Sequence, residues 1–186
     1  MQLLKRHFIG ATLLSMLSVG AFAQDKAAKQ AEIKTKTDQA LQDFYKADAK
    51  LKGEVAKAPG YAVFTTYGLS FGFGGAGGKG VAHDSKANKD VYMSIAQASA
   101  GFQIGASDTL YLFVFNDTKA LNQFIEKGWD ASAGAAAGAG AAGSGATAGA
   151  GAGAFTGGRQ YALTKKGLQA GAAVAGTKAW KDDDLN

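Results

Sequence analysis

The sequence predicts an α+β protein with an antiparallel, curved or barrel-like β-sheet, an N-terminal amphipathic helix and one further core helix. Two observations predict this class. A helical pattern near the start of the chain changes at Pro59 and Gly60 to a two-residue alternation. Beyond that point the strands follow one another closely with one intervening helix, unlike the regular strand-helix alternation of a parallel sheet.

Residues 1–23 have the features of a cleavable signal peptide. A positively charged start is followed by an apolar stretch and then by Ala21-Phe22-Ala23, the small-x-small pattern that precedes cleavage. The apolar stretch is shorter than the roughly 20 residues of a transmembrane helix, although an uncleaved anchor is the alternative. No cysteine is present for a lipoprotein anchor. We therefore expect a soluble, periplasmic protein with a single domain over residues 24–186.

The composition excludes several classes of function. The absence of cysteine excludes a disulfide scaffold, a cysteine-based zinc site and a thiol nucleophile. Without the leader the net charge falls from +5 to +3, an excess too small to indicate a nucleic acid partner. Collagen is excluded because the 27 glycines follow no three-residue period and one proline is present. The abundant glycine therefore needs a structural explanation.

The N-terminal segment 24–58 contains the pattern of one helix over residues 27–57. Its apolar positions recur at spacings of three and four and form one stripe. They are Ile33, Thr37, Ala40, Leu41, Phe44, Leu51 and Val55. Four lysines share a polar flank, since seven residues are close to two helical turns. They are Lys29, Lys36, Lys50 and Lys57. Two interpretations are open: a surface helix packed on the domain, or a basic amphipathic helix lying on an anionic membrane.

The β-rich core over 59–186 begins with a long alternating strand whose even positions become glycine, a face that another backbone can approach closely. Residues 72–80 contain the glycine spacing of a dinucleotide-binding fingerprint but continue into a strand, whereas the fingerprint needs a helix. We expect a tight hairpin or bulge with positive φ angles there. Lys79 to His83 would then return from this glycine turn.

The second half of the core has three predictable elements. Further strands alternate from Val91 onward, and residues 110–115 are apolar on both faces, as in a central buried strand. A helix follows, capped by Asn116 or Asp117 and ended at Gly128. A hairpin is expected around residues 165–167. The Ala/Gly-rich segment 131–154 is open to three interpretations: a low-complexity loop, closely packed strands or a small-residue helix.

No set of residues predicts catalysis, a cofactor or a metal site. His83 is the one histidine left after the leader, and its neighbours Asp84 and Ser85 cannot converge as a triad because consecutive residues diverge. We expect a surface turn histidine. Residues 182–184 are all aspartate but lack calcium-loop spacing, and we expect a solvated tail. The sequence predicts a protein that is not an enzyme.

Several segments, taken in order over residues 27–186, resemble the SYLF domain family. They are Gly60–Phe64, the glycine-rich Phe71–Val81, Gly101–Ala106, Gly128-Trp129, Lys166–Leu168, Gly176–Trp180 and the ending Asp184-Leu185-Asn186. The resemblance implies a lipid-binding module that contacts membranes through an amphipathic N-terminal segment and basic residues. On this sequence the matching positions are Lys29, Lys36, Lys50 and Lys57, with Lys79 at the glycine turn.

The resemblance leads to two expectations about function. The first is a periplasmic protein that binds anionic phospholipid through the basic amphipathic helix. The second is a structural or protein-interaction domain of the cell envelope without direct lipid binding. Eukaryotic relatives are associated with phosphoinositide membranes and, in yeast, with actin. A periplasm contains neither, so actin is not expected as a partner here.

Overall fold

The computed structural model describes residues 17–131, 155, 157–164, 167–170 and 177–186. The helices and strands in chain order are α1 (Leu17–Ala47), α2 (Lys50–Lys57), β1 (Gly60–Asp84), β2 (Lys89–Phe115), α3 (Thr118–Lys127), β3 (Trp129–Asp130), β4 (Gly158–Thr164), β5 (Gly167–Ala170) and β6 (Thr177–Lys181). A 3₁₀ turn, Asp183–Leu185, follows β6. Apart from Ala131, the Ala/Gly-rich segment 131–154 lies outside the described residues.

The long strand β2 is the centre of a curled antiparallel sheet. β1 pairs with β2 along nearly its whole length, through the turn at residues 85–88. On the other side of β2, β6 pairs with residues 93–97 and β4 pairs with residues 110–115. β3 and β5 pair with β6 and β4 and end the sheet. The predicted α+β class with a curved antiparallel sheet is confirmed.

The glycine-rich segment 72–80 is extended strand, and the predicted hairpin there is wrong. β1 runs unbroken from Gly60 to Asp84, and neither Gly78 nor Gly80 has a positive φ angle. The pairing register shifts between Phe71 and Phe73, so the bulge alternative holds at the start of the segment. Likewise, the separate strands predicted after Val91 are one strand. Apart from this register shift, the two long strands pair with each other, so residues 73–80 lie in the ladder and do not turn.

The close backbone approach expected of glycine occurs at Gly78 and Gly80. A Cβ atom at Gly78 would overlap the carbonyl oxygen of Thr65, and one at Gly80 would overlap the Phe64 ring. The beginning and the end of β1 therefore lie against each other, which closes the curl of the sheet. The close approach lies further along β1 than the alternating pattern predicted.

On each face of the curled sheet, the described side chains form an apolar core. On the concave face α3 packs on a core of aromatic and aliphatic side chains: Phe64, Met93, Ile95, Tyr111, Phe113, Phe115, Leu121 and Phe124. On the convex face α1 and α2 cover a second core: Ala40, Leu41, Phe44, Leu51, Val55, Val63, Leu112, Val114 and Tyr161. Residues 111–115 are buried from both sides, which confirms the predicted central strand.

The predicted single helix over residues 27–57 is two helices. The break lies at Asp48 and Ala49, where the Asp48 side chain accepts a hydrogen bond from the Lys50 backbone N–H at 2.9 Å. A side chain that bonds the backbone locally competes with helix continuation. α1 begins at Leu17, within the predicted leader, and cleavage after Ala23 stays a prediction.

In the second half of the chain, the predicted helix cap, helix end and hairpin are confirmed. Asp117 caps α3, since its Oδ1 accepts from the Ala120 N–H at 2.8 Å, and Gly128 ends the helix with a φ of 73°. β4 and β5 form the predicted hairpin, with Gly167 at a φ of 111°. Within the described stretches, no helix is long and apolar enough to cross a membrane.

Candidate functional site

The five lysines predicted to contact lipid lie in two separate regions. Lys29, Lys36 and Lys79 line a groove of about 740 Å³ between the first half of α1, β1 and the end of the chain, which we call the α1 groove. Lys50 and Lys57 line a shallower depression of about 560 Å³ beside Pro59. The expectation that the helical lysines share one flank is wrong, because the helix breaks at Asp48.

The lysines of α1 that line the groove are paired with carboxylates on the same helix. Lys29 Nζ lies 2.7 Å from Asp25, and Lys36 Nζ lies 2.6 Å from Glu32. Each pair spans four residues, the spacing that brings side chains together on a helix. The hydrogen bond to the partner carboxylate raises the pKa of each lysine, and the bond from Lys36 lowers the pKa of Glu32. These positive charges are locally balanced.

Lys79 has a buried partner that the sequence analysis placed in solvent. Its ammonium bonds Asp182 and lies 2.9 Å from Ser94 Oγ, and Ser94 donates to the same Asp182 oxygen at 2.7 Å. Asp182 is buried, so its place in a solvated tail is wrong. Burial alone would raise the pKa of Asp182, but the hydrogen bonds from Lys79 and Ser94 outweigh it and hold the pKa below the usual value.

The last residues of the chain bind α1 to the body of the domain. Lys26 Nζ donates to the Asn186 backbone oxygen and Gln30 Nε2 to the Leu185 carbonyl, both at 2.7 Å. The Asn186 side chain in turn pairs with the backbone N–H and C=O of Tyr92, at 3.0 and 2.7 Å. The sequence analysis missed this contact because its partners are up to 160 residues apart in the chain.

The region around Pro59, which we call the α2 end, carries three lysines, and Glu54 and Asp117 line it with them. The α2 end comprises two neighbouring depressions. Lys50 and Lys57 line the first, and Lys57 and Lys86 line the second. Among the residues that the structure describes, no ion pair joins these three lysines to a carboxylate. The acid Glu54 is already engaged, since it lies 3.1 Å from Arg159 and accepts from the Tyr161 hydroxyl at 2.9 Å.

His83 is half-buried in β1, and the expected surface turn position is wrong. Its Nδ1 lies 2.6 Å from Asp90 Oδ1, and its ring lies 5.2 Å from that of Tyr61. The neighbouring Asp84 accepts from two backbone N–H groups of the following turn, so it does not form a triad with His83. In the described part of the chain, no three histidines or acids are placed to hold a metal ion.

Comparisons of the sequence with known proteins indicate its family. Residues 96–186 match the family model Ysc84, described as Las17-binding protein actin regulator. A curated protein of Aeromonas veronii, beta cell expansion factor A, is 32% identical over 163 residues. The chain belongs to the SYLF family. The aligned region covers 86% of this SYLF chain and 60% of that protein, so the chain spans about 60% of the length of its relative.

The family match covers only part of the two regions described above. Within residues 96–186 lie most of β2, all of α3, the strands β3 to β6 and the buried Asp182. All five lysines predicted to contact lipid precede residue 96. Membership in the SYLF family therefore does not by itself assign a role to these lysines.

Proposed function

We propose that this SYLF protein binds anionic phospholipid surfaces in the periplasm through the α2 end. The observation that carries the proposal is the cluster of Lys50, Lys57 and Lys86 around Pro59, three cations for which the described residues supply no ion pair. An anionic surface would provide the missing counter-charges. Lys29 and Lys36 in the α1 groove attract an extended anionic surface less, because each lies beside a carboxylate that cancels its charge.

The apolar stripe of α1 has a different role from the one the sequence suggested. Ala40, Leu41 and Phe44 are buried against the convex face of the sheet. Shallow insertion of this stripe into a membrane would separate it from Val63 and Leu112 and leave these two sheet residues exposed to water. Burial of one large apolar side chain contributes about 1.5–3 kcal/mol, so detachment is costly. The proposed contact is therefore electrostatic and leaves α1 in place.

The electrostatic contribution has a predictable size. Each lysine near an anionic membrane surface contributes about 1 kcal/mol, so three lysines contribute about 3 kcal/mol. That free energy corresponds to a roughly 100-fold change in affinity. Because all three side chains are on the surface, the attraction should weaken as salt shortens the Debye length to about 3 Å at 1 M.

Vesicle flotation with the purified protein tests the proposal. We expect recovery with phosphatidylglycerol vesicles, none with phosphatidylcholine vesicles, and loss of recovery in the triple variant Lys50→Gln/Lys57→Gln/Lys86→Gln. The matched control Lys26→Gln/Lys29→Gln/Lys36→Gln removes the same charge from α1 and should still float. Equal loss in both triple variants would show that net charge alone decides binding and would contradict a site at the α2 end.

A second function remains in competition: a structural or protein-interaction domain of the cell envelope without lipid binding. The buried apolar stripe of α1 favours it, because it gives the N-terminal helix a purely structural role. Failure of the protein to float with either lipid would select this alternative. Actin is not proposed as a partner, since the proposed compartment contains none.

A further inference from the structure

The α1 groove has the size and the lining of a small-molecule site. Its volume of about 740 Å³ lies within the roughly 300–1,000 Å³ of typical ligand pockets. Tyr67 lines it with 61% of its surface exposed, one of the two most exposed large hydrophobic residues among those described. Ile33 and Leu185 extend the apolar wall. A concave site with an apolar wall and a few polar groups is the usual form of a small-molecule site.

The charges in the groove are arranged with a cation at the apolar wall. Lys36 Nζ lies 5.9 Å from the centre of the Tyr67 ring, whereas its partner Glu32 is the more exposed of the pair, at 63% against 43%. Lys79 gives two of its three N–H groups to Ser94 and Asp182 and keeps one available. The carboxylates of Asp25, Glu32, Asp182 and Asp184 also line the groove, so a bound anion would compete with these acids for Lys36 and Lys79.

We propose that the α1 groove binds one molecule of an organic anion with an elongated apolar body, of which a long-chain carboxylate is the simplest example. The apolar body would lie on Tyr67, Ile33 and Leu185, and the anionic group would pair with Lys36 and the free N–H of Lys79. Exchange of Glu32 for the ligand carboxylate costs little, because exposed ion pairs contribute little to stability. The proposal does not rest on the vesicle contact at the α2 end.

Titration calorimetry with sodium laurate below its micellar concentration tests the groove. We expect saturable binding of one laurate per chain. The variants Tyr67→Ser and Lys36→Gln should each weaken binding at least tenfold, because they remove the apolar contact and the counter-charge. Lys57→Gln at the α2 end serves as the matched control and should bind laurate like the unaltered protein. Urea unfolding midpoints establish that each variant is folded, which is expected since both groove side chains are at the surface.

Several outcomes would overturn the groove site. They are the absence of laurate binding, binding of several molecules per chain, or equal affinity in the unaltered protein and Tyr67→Ser. Loss of binding in Lys57→Gln would equally overturn it, because that lysine lies outside the groove. The vesicle proposal can fail separately. If the protein binds one laurate but does not float with phosphatidylglycerol vesicles, the proposed groove site is supported and the proposed lipid contact at the α2 end is contradicted.

Discussion

The α1 groove and the α2 end both carry lysines from the N-terminal helical segment, yet they present different charges. In the groove, Lys29 and Lys36 each follow an acid by four residues, and both pairs form. At the α2 end, the residue four positions before Lys57 is Gly53. Lys50 has Glu54 four residues later, but Glu54 is held by Arg159. The position of the acids, and not the number of lysines, therefore decides which surface is positive.

The two regions also differ in how their backbone is held. α1 is packed on the sheet by its apolar stripe and bound at its N-terminal half by the last residues of the chain. α2 buries Leu51 and Val55, while its lysines remain in solvent. If this difference is correct, substitutions under α1 should reduce stability, and substitutions at the α2 end should affect binding alone.

The largest expected effect is at Phe44, which is fully buried beneath α1. Phe44→Ala should lower the free energy of unfolding by about 3–5 kcal/mol, because it removes buried apolar surface and leaves a cavity. Urea unfolding followed by circular dichroism measures this change. The matched control is Gln42→Ala on the exposed side of the same helix, with an expected change within about 0.5 kcal/mol. Equal stability of the two variants would show that α1 is not part of the core.

A smaller effect is expected at Asp182, the buried carboxylate that holds Lys79. Asp182→Asn should cost about 1.5–3 kcal/mol at pH 7, because the charged hydrogen bonds to Lys79 and Ser94 are lost. Its pKa is lowered in the folded protein, so the stabilisation is complete above the unfolded value of about 3.9 and disappears as the pH falls through the lower folded value. The difference in unfolding free energy between the two proteins should therefore narrow below about pH 4.

The neighbouring Asp183 provides the control for this substitution, since it is exposed in the 3₁₀ turn. Asp183→Asn should leave the unfolding midpoint close to that of the unaltered protein at pH 7 and at pH 2.5. A gap between Asp182→Asn and the unaltered protein that stays constant down to pH 2.5 would contradict the proposed charge interaction. Such a result would indicate that Asp182 acts through its shape alone.

Features with a local cause were predictable from the sequence. The cap at Asp117, the stop at Gly128 and the buried strand at residues 110–115 depend on neighbouring residues. The unbroken β1 was not predictable from local sequence. Its glycines Gly78 and Gly80 are needed because the backbone of Thr65 and the ring of Phe64 lie against them, and both residues are more than ten positions earlier in the chain. The burial of Asp182 likewise depends on partners 88 and 103 residues away.

The candidate site was likewise predictable only in part. The sequence analysis predicted five lysines as lipid contacts and assigned four of them to one flank of one helix. It did not single out Lys86, which lines the α2 end. The break at Asp48 depends on a single side-chain hydrogen bond, and the apolar stripe continues past it, so the periodicity gave no indication. The acids four residues before Lys29 and Lys36 were visible in the sequence and could have indicated that these two lysines are paired.

Residue-resolved amide hydrogen exchange, with and without phosphatidylglycerol vesicles, tests most directly whether lipid contacts the α2 end while α1 stays packed. Amides of α1 around Phe44 should be protected to the same degree in both conditions. Amides of α2 and of the turn at residues 85–88 should exchange more slowly when vesicles are present. Faster exchange in α1 on vesicles, with α2 and the turn unchanged, would contradict the account, because it would mean that α1 leaves the sheet to bind lipid.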